Sequence, residues 1–160
     1  MAPVRAVAID LDVLGDTRRL WADWLADAAR RYRSIAELDV ASLPEDRGEA
    51  AAELDRWAAA GIGDWRAALR RFAENRAPVY LRPEASVSAS LRALAGAGTP
   101  VGVFTDAPEP LARVALAQLG AARRVELLET GSGALERLLA ALGPDARIVR
   151  SRDELSGLPG

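Results

Sequence analysis

Ala6-Val7-Ala8-Ile9-Asp10-Leu11-Asp12-Val13-Leu14-Gly15-Asp16-Thr17 is the stretch whose reading decides the fold. An apolar run ends in two aspartates one residue apart, followed by a short polar loop. The run reads as a buried strand from Val4 to Asp10, nearly continuous in apolar residues as a parallel sheet requires. Along a strand, Asp10 and Asp12 flank a residue that points the other way. If the strand ends at Asp10 and the chain coils onward, both carboxylates can converge above the sheet. Paired carboxylates at that place suit metal binding or covalent chemistry. The competing reading is an ordinary Asp-rich turn.

A length of 160 residues suits one α/β domain with room for a small insertion. Half the residues are hydrophobic, so a sizeable core is available. Net charge is −2, with no basic stripe, which argues against nucleic acid as the main partner. No apolar stretch is long enough to span a membrane, and the start lacks a signal-peptide pattern, so the expectation is a cytoplasmic protein, monomer or homodimer. Cysteine and histidine are both absent, which removes thiol nucleophiles, imidazole bases and imidazole or thiolate metal ligands. All 21 basic residues are arginine, so lysine chemistry is removed too. Catalysis here has carboxylates, hydroxyls, backbone amides, arginine or a hard metal to draw on.

Beyond the first strand, Leu20, Trp21, Trp24, Leu25, Ala28 and Tyr32 fall on one helical face, with Asp16 or Thr17 as the cap. Ser42-Leu43-Pro44-Glu45 has the capping-box spacing and predicts a second helix bearing Leu54 and Trp57 and stopping near Gly61. Asp64 is placed to cap a third, with Leu69 and Phe72. All four tryptophans lie between positions 21 and 65; they read first as a helical core, and second as walls of a substrate pocket. From Pro78 onward the pattern alternates. Pro83 opens a helix with Val87, Leu91 and Leu94; Pro100 to Thr105 is a strand; a helix runs from about Glu109 to Gly120. Val125 to Leu128 is a third strand, Ser132 begins a helix that ends at Gly143-Pro144, and Ala146 to Val149 is a fourth strand. Strands alternating with helices predict a three-layer α/β fold, a Rossmann-like parallel sheet with helices on both faces and a small helical insertion. Ligands of such sheets bind beyond the carboxyl ends of the strands.

Those ends hold the candidates. The first presents Asp10 and Asp12. The second presents Thr105 and Asp106 ahead of a helix N-terminus, a natural phosphate cradle, although Thr105 alone would read as an ordinary cap. The third leads to Gly131-Ser132-Gly133, a loop and helix cap that lacks the third glycine of a dinucleotide fingerprint. The fourth leads to Arg150-Ser151-Arg152-Asp153-Glu154. Asp153 and Glu154 could complete a metal site or stand as a solvated turn.

At this point the chain resembles the haloacid-dehalogenase-like hydrolases over nearly its whole length. Asp10-Leu11-Asp12-Val13-Leu14-Gly15-Asp16-Thr17 matches that family's first motif with one glycine deleted, and Val101-Gly102-Val103-Phe104-Thr105-Asp106 matches the second. The resemblance implies a core made of residues 1–16 and 79–160 and a helical cap made of 17–78. It implies a Mg²⁺-dependent phosphatase of a small phosphorylated metabolite. Asp10 would attack phosphorus to form an aspartyl-phosphate, Asp12 would act as acid and then base, and Thr105 and Asp106 would face the phosphate. Mg²⁺ would be held by Asp10, Asp12 and Asp153.

Besides the glycine deletion and the lack of the usual final strand, the chain departs from the family in its third and fourth motifs. The family's third motif is a lysine, and there is none; Glu129-Thr130-Gly131 stand in that neighbourhood, with Arg123, Arg124, Arg150 and Arg152 as possible substitutes of different shape. The fourth motif, Gly-Asp after the fourth strand, is replaced by Arg150-Ser151. Loss of one preorganised charge costs on the order of 10²–10³ in rate. The alternative to an enzyme is therefore a degenerate relative serving as a binding or regulatory module. A phospho-acceptor receiver domain ranks below both, because it too needs a lysine. Dehalogenase chemistry on Asp10 stays open.

Overall fold

The computed structural model describes residues 4–159. Four parallel strands form one sheet: β1 (Val7–Asp10), β2 (Val101–Thr105), β3 (Leu127–Thr130) and β4 (Arg147–Val149), in the order β3-β2-β1-β4. The chain runs outward from β1 through β2 to β3, then returns to place β4 on the other side of β1. That reversal opens a crevice at the carboxyl end of β1, the usual ligand position in such sheets. The register sets Asp10 opposite Phe104, and Ile9 opposite both Val103 and Val149.

The helices are α1 (Leu11–Leu14), α2 (Arg18–Arg31), α3 (Arg47–Trp57), α4 (Trp65–Tyr80), α5 (Ala85–Gly96), α6 (Glu109–Gln118), α7 (Ala134–Leu142) and α8 (Arg152–Ser156). Strand alternation divides the core. Ala8 and Phe104 meet Ala134 and Leu138 of α7 on one face. A Cβ on Gly102 would lie 2.5 Å from Leu138, so α7 sits as close as it does because that position is glycine. On the other face Val7, Ile9, Val101, Val103 and Val149 join a larger cluster with Leu91, Leu94, Leu111, Leu116 and Leu155. The three-layer expectation holds.

Helices α2, α3 and α4 lie between β1 and β2 in sequence and share the larger cluster with the sheet. Trp21 and Trp24 stack with ring centroids 5.4 Å apart, and Trp24 and Trp65 lie 5.9 Å apart. All three are buried. The tryptophans are therefore core, and none lines either of the two larger cavities described below.

Asp64 caps α4, its carboxylate accepting from the Ala67 N–H at 3.1 Å. Ser42-Leu43-Pro44-Glu45 does not start α3. Val40–Ser42 is a single 3₁₀ turn, and the helix begins at Arg47, where Asp46 accepts from the Glu49 N–H at 2.9 Å. Asp46 and Glu49 have the same spacing as Ser42 and Glu45, and an aspartate is at least as good a cap as a serine. β3 begins two residues later than expected. α8 adds a short helix beyond the elements that periodicity marks: Ser151 accepts from the Glu154 N–H at 3.1 Å and caps it.

Truncating Trp24→Ala removes a fully packed indole between two others. Urea denaturation should show a loss of about 3–5 kcal/mol; a loss under about 1 kcal/mol would show that the tryptophan cluster does not hold α2 to α4.

Candidate active site

Asp10 is the last residue of β1, and its side chain caps the one-turn helix α1 by accepting from the Asp12 N–H at 3.0 Å. That turn brings Asp12 back over the sheet. A cleft of about 330 Å³ at this point is lined by Asp10, Asp12, Arg18, Thr105, Asp106 and Arg150, with Asp46 and Gly131 at its edge. Four of the residues singled out in the sequence, Asp10, Asp12, Thr105 and Asp106, thus line one cavity.

Asp12 is held by donors. Its Oδ1 accepts from the Thr17 N–H at 2.9 Å and from the Thr17 hydroxyl at 2.7 Å. Its Oδ2 faces Arg18 Nε at 3.4 Å and Arg47 Nη2 at 3.3 Å. Thr17 therefore has a tertiary role rather than a capping one; Asp16 accepts from the Arg18 N–H at 2.9 Å instead.

Arg47, which no motif pointed to, organises the cleft. It sits in the first turn of α3 and is only 1% exposed. Its Nε donates to Asp106 Oδ1 at 2.8 Å and its backbone N–H to Asp106 Oδ2 at 3.2 Å. Its Nη1 donates to Thr17 Oγ1 at 2.7 Å, and Nη2 reaches Thr105 Oγ1 at 3.4 Å as well as Asp12. Thr105 also accepts from the Ala107 N–H at 3.1 Å. One guanidinium thus joins α1, the end of β2 and the helices between them in sequence. A forked, always-charged donor suits such a task in a way that lysine does not. A cation in the first turn of a helix opposes the helix dipole. That mismatch was the one sequence signal of an acidic partner elsewhere.

The α3 start also touches the loop after β3. A Cβ on Gly48 would lie 2.3 Å from the Ser132 backbone nitrogen, and the Ser132 hydroxyl lies 3.3 Å from Asp46 Oδ1.

Of the arginines proposed as lysine substitutes, Arg150 lines the cleft, with its guanidinium carbon 5.6 Å from the Phe104 ring centroid. Arg152 donates to the Val13 carbonyl at 3.1 Å and pairs with Glu84. Arg123 and Arg124 lie on a 3₁₀ turn before β3, outside the cleft lining. Asp153 is exposed on α8 and outside that lining; Glu154 pairs with its own cap Ser151. Among the described residues, no three Asp or Glu side chains converge on a point that could hold a metal ion.

Among the described ion pairs none involves Asp10. Burial pushes its carboxyl above the ordinary 3.8. The Asp12 N–H opposes this, the Asp12 charge adds to it, and the more distant Arg150 and Arg18 oppose it. The folded protein thus binds this proton more tightly than the unfolded chain. Stability associated with it is present below 3.8 and is lost as pH rises through the folded value. Asp10→Asn keeps the cap acceptor and removes the buried charge. Its Tm should exceed that of the parent at pH 7, with the gain shrinking as pH falls and vanishing below 3.8. A pH-independent difference, or a lower Tm at pH 7, would contradict this.

No protein-family model and no curated protein sequence matches the chain. Among solved structures, it is similar to a Thermotoga maritima protein described as a "putative beta-phosphoglucomutase", with a TM-score of 0.57 and 16% identity over 92% of this chain and 75% of that one. At that identity the likeness concerns the fold. That fold is a four-stranded parallel sheet with helices on both faces, as the alternation of strands and helices implied.

Proposed function

We propose that the cleft binds the phosphoryl group of a small metabolite and transfers it through Asp10. The observation that carries this reading is the contrast between the two aspartates. Asp12 is fixed by three hydrogen-bond donors and an ion pair with Arg18, whereas Asp10, at the carboxyl end of β1, lines the cleft with no ion pair among the described residues. A carboxylate left unpaired among arginines has the attributes of a nucleophile. An Asp10 oxygen attacks phosphorus, the bond to the leaving oxygen breaks, and that oxygen takes a proton, a step the resemblance assigns to Asp12. Water then attacks the aspartyl-phosphate, releasing phosphate and restoring Asp10. Arg18 and Arg150 supply positive charge at the wall of the cleft, and Arg47 holds Thr105 and Asp12 in place.

The family resemblance brings Mg²⁺ with it, held by Asp10, Asp12 and Asp153. Asp10 and the Asp12 backbone stand at the cleft, but Asp153 does not, and Arg150 follows β4 where a further carboxylate is customary. That donor set does not fit a stably held divalent ion, so no step is routed through one.

A second reading is favoured by Arg47. Its Nη2 contacts engage both the Thr105 hydroxyl and the Asp12 carboxylate, the groups that turnover would use. On this reading the cleft holds a phosphate ester without hydrolysing it. A panel of phosphate esters, with and without Mg²⁺, separates the two. The enzyme reading expects turnover that falls by at least about 10³ in Asp10→Asn. Absence of turnover together with a Tm raised by inorganic phosphate selects the binding reading. Neither turnover nor a Tm shift refutes both.

A further inference from the structure

A cavity larger than the cleft at Asp10 adjoins it. It is a groove of about 910 Å³ between α3 and α4 on one side and α6 with the loop after β3 on the other. Asp106 and Gly131 line both cavities, so the two adjoin. The volume is that of a small-molecule site.

The lining says which molecule fits. Ala51 and Ala52 of α3, Val114 and Ala117 of α6, and Pro108 and Pro110 give apolar surface on both walls. Three arginines line the groove, and each is already matched. Arg66 Nη1 lies 2.7 Å from Asp55, Arg70 Nε lies 3.0 Å from Glu74, and Arg113 Nε lies 2.7 Å from Glu109. Asp106 is matched by Arg47. The charges therefore cancel pair by pair and leave none to recognise an ionic ligand. The wall made by α3 and α4 is held in shape, because Asp55 accepts from both the Trp65 indole at 2.9 Å and Arg66. A preformed, mostly apolar concavity with balanced charge gives an uncharged molecule apolar surface to cover and gives an ion no unmatched partner.

We infer that this groove is a binding site for an uncharged, mainly apolar small molecule, separate from the phosphoryl cleft. It does not depend on whether Asp10 turns over.

The test uses N-phenyl-1-naphthylamine, a neutral apolar fluorophore, titrated against the whole chain. Saturable binding with a stoichiometry of one is expected. Ala52→Trp and Ala117→Trp each fill the groove, from opposite walls, at exposed helix positions that the fold tolerates. Each should weaken the probe by at least about tenfold, the equivalent of ~1.4 kcal/mol. Ala93→Trp, exposed on α5 away from the groove, and Asp10→Asn should leave it unchanged. Absence of saturable binding, or affinity unaltered in both groove variants, would overturn the site. Weakening by Asp10→Asn would place the probe in the other cleft and overturn it equally. Tighter binding of the anionic 1-anilinonaphthalene-8-sulfonate than of the neutral probe would overturn the ligand class.

Discussion

A guanidinium that is 1% exposed must be paired or the fold does not form. Arg47 meets that requirement by drawing together groups from four places in the chain: Asp12, Thr17, Thr105 and Asp106. Without those acceptors its burial would leave an uncompensated charge. Without Arg47, Asp12 would keep only its Arg18 ion pair and Asp106 would lose the guanidinium that neutralises it. The position of α3 over the sheet is therefore tied to the electrostatics of the cleft. The Gly48 contact with the loop at Ser132 adds a steric tie beside it.

This network also separates the roles of the two aspartates. Asp12 belongs to it and has little freedom. Asp10 lies just outside it, half-buried, with the Asp12 N–H as its one hydrogen-bond donor among the described residues. Its carboxyl is pushed up by burial, so the folded state carries a local cost at neutral pH. Costs of this kind concentrate where a reactive group is kept ready.

Much of the fold was legible because β1 and β2 are near-continuous apolar runs that end in polar residues, and because helices alternate with strands after Pro78. The motif Asp10-Leu11-Asp12 was legible because its chemistry is local: a strand end, a one-turn helix and a cap made by the first aspartate. Arg47 was not. Its partner Asp106 is 59 residues away, and nothing in Asp46-Arg47-Gly48 announces burial. The competing capping box at Ser42 hid it further, because a helix started there would put Arg47 in its second turn, away from the cap. A capping box is a two-residue pattern, and this chain uses Ser151 with Glu154 while ignoring Ser42 with Glu45. Tertiary contact decides between such equals. The mixture of Ala, Arg and a few larger apolar residues across 66–77 likewise gave no hint that α4 would form the wall of a groove.

The account turns on Arg47 and Asp106 acting as one unit, and a double-mutant cycle on folding stability tests that most directly. Arg47→Met keeps the apolar stem, and Asp106→Asn keeps an acceptor for the α3 backbone. Denaturation of the parent, both single variants and the double variant should give a coupling energy of at least about 1 kcal/mol. Single-variant losses that simply add, within about 0.3 kcal/mol, would contradict the claim that this buried pair joins the inserted helices to the cleft.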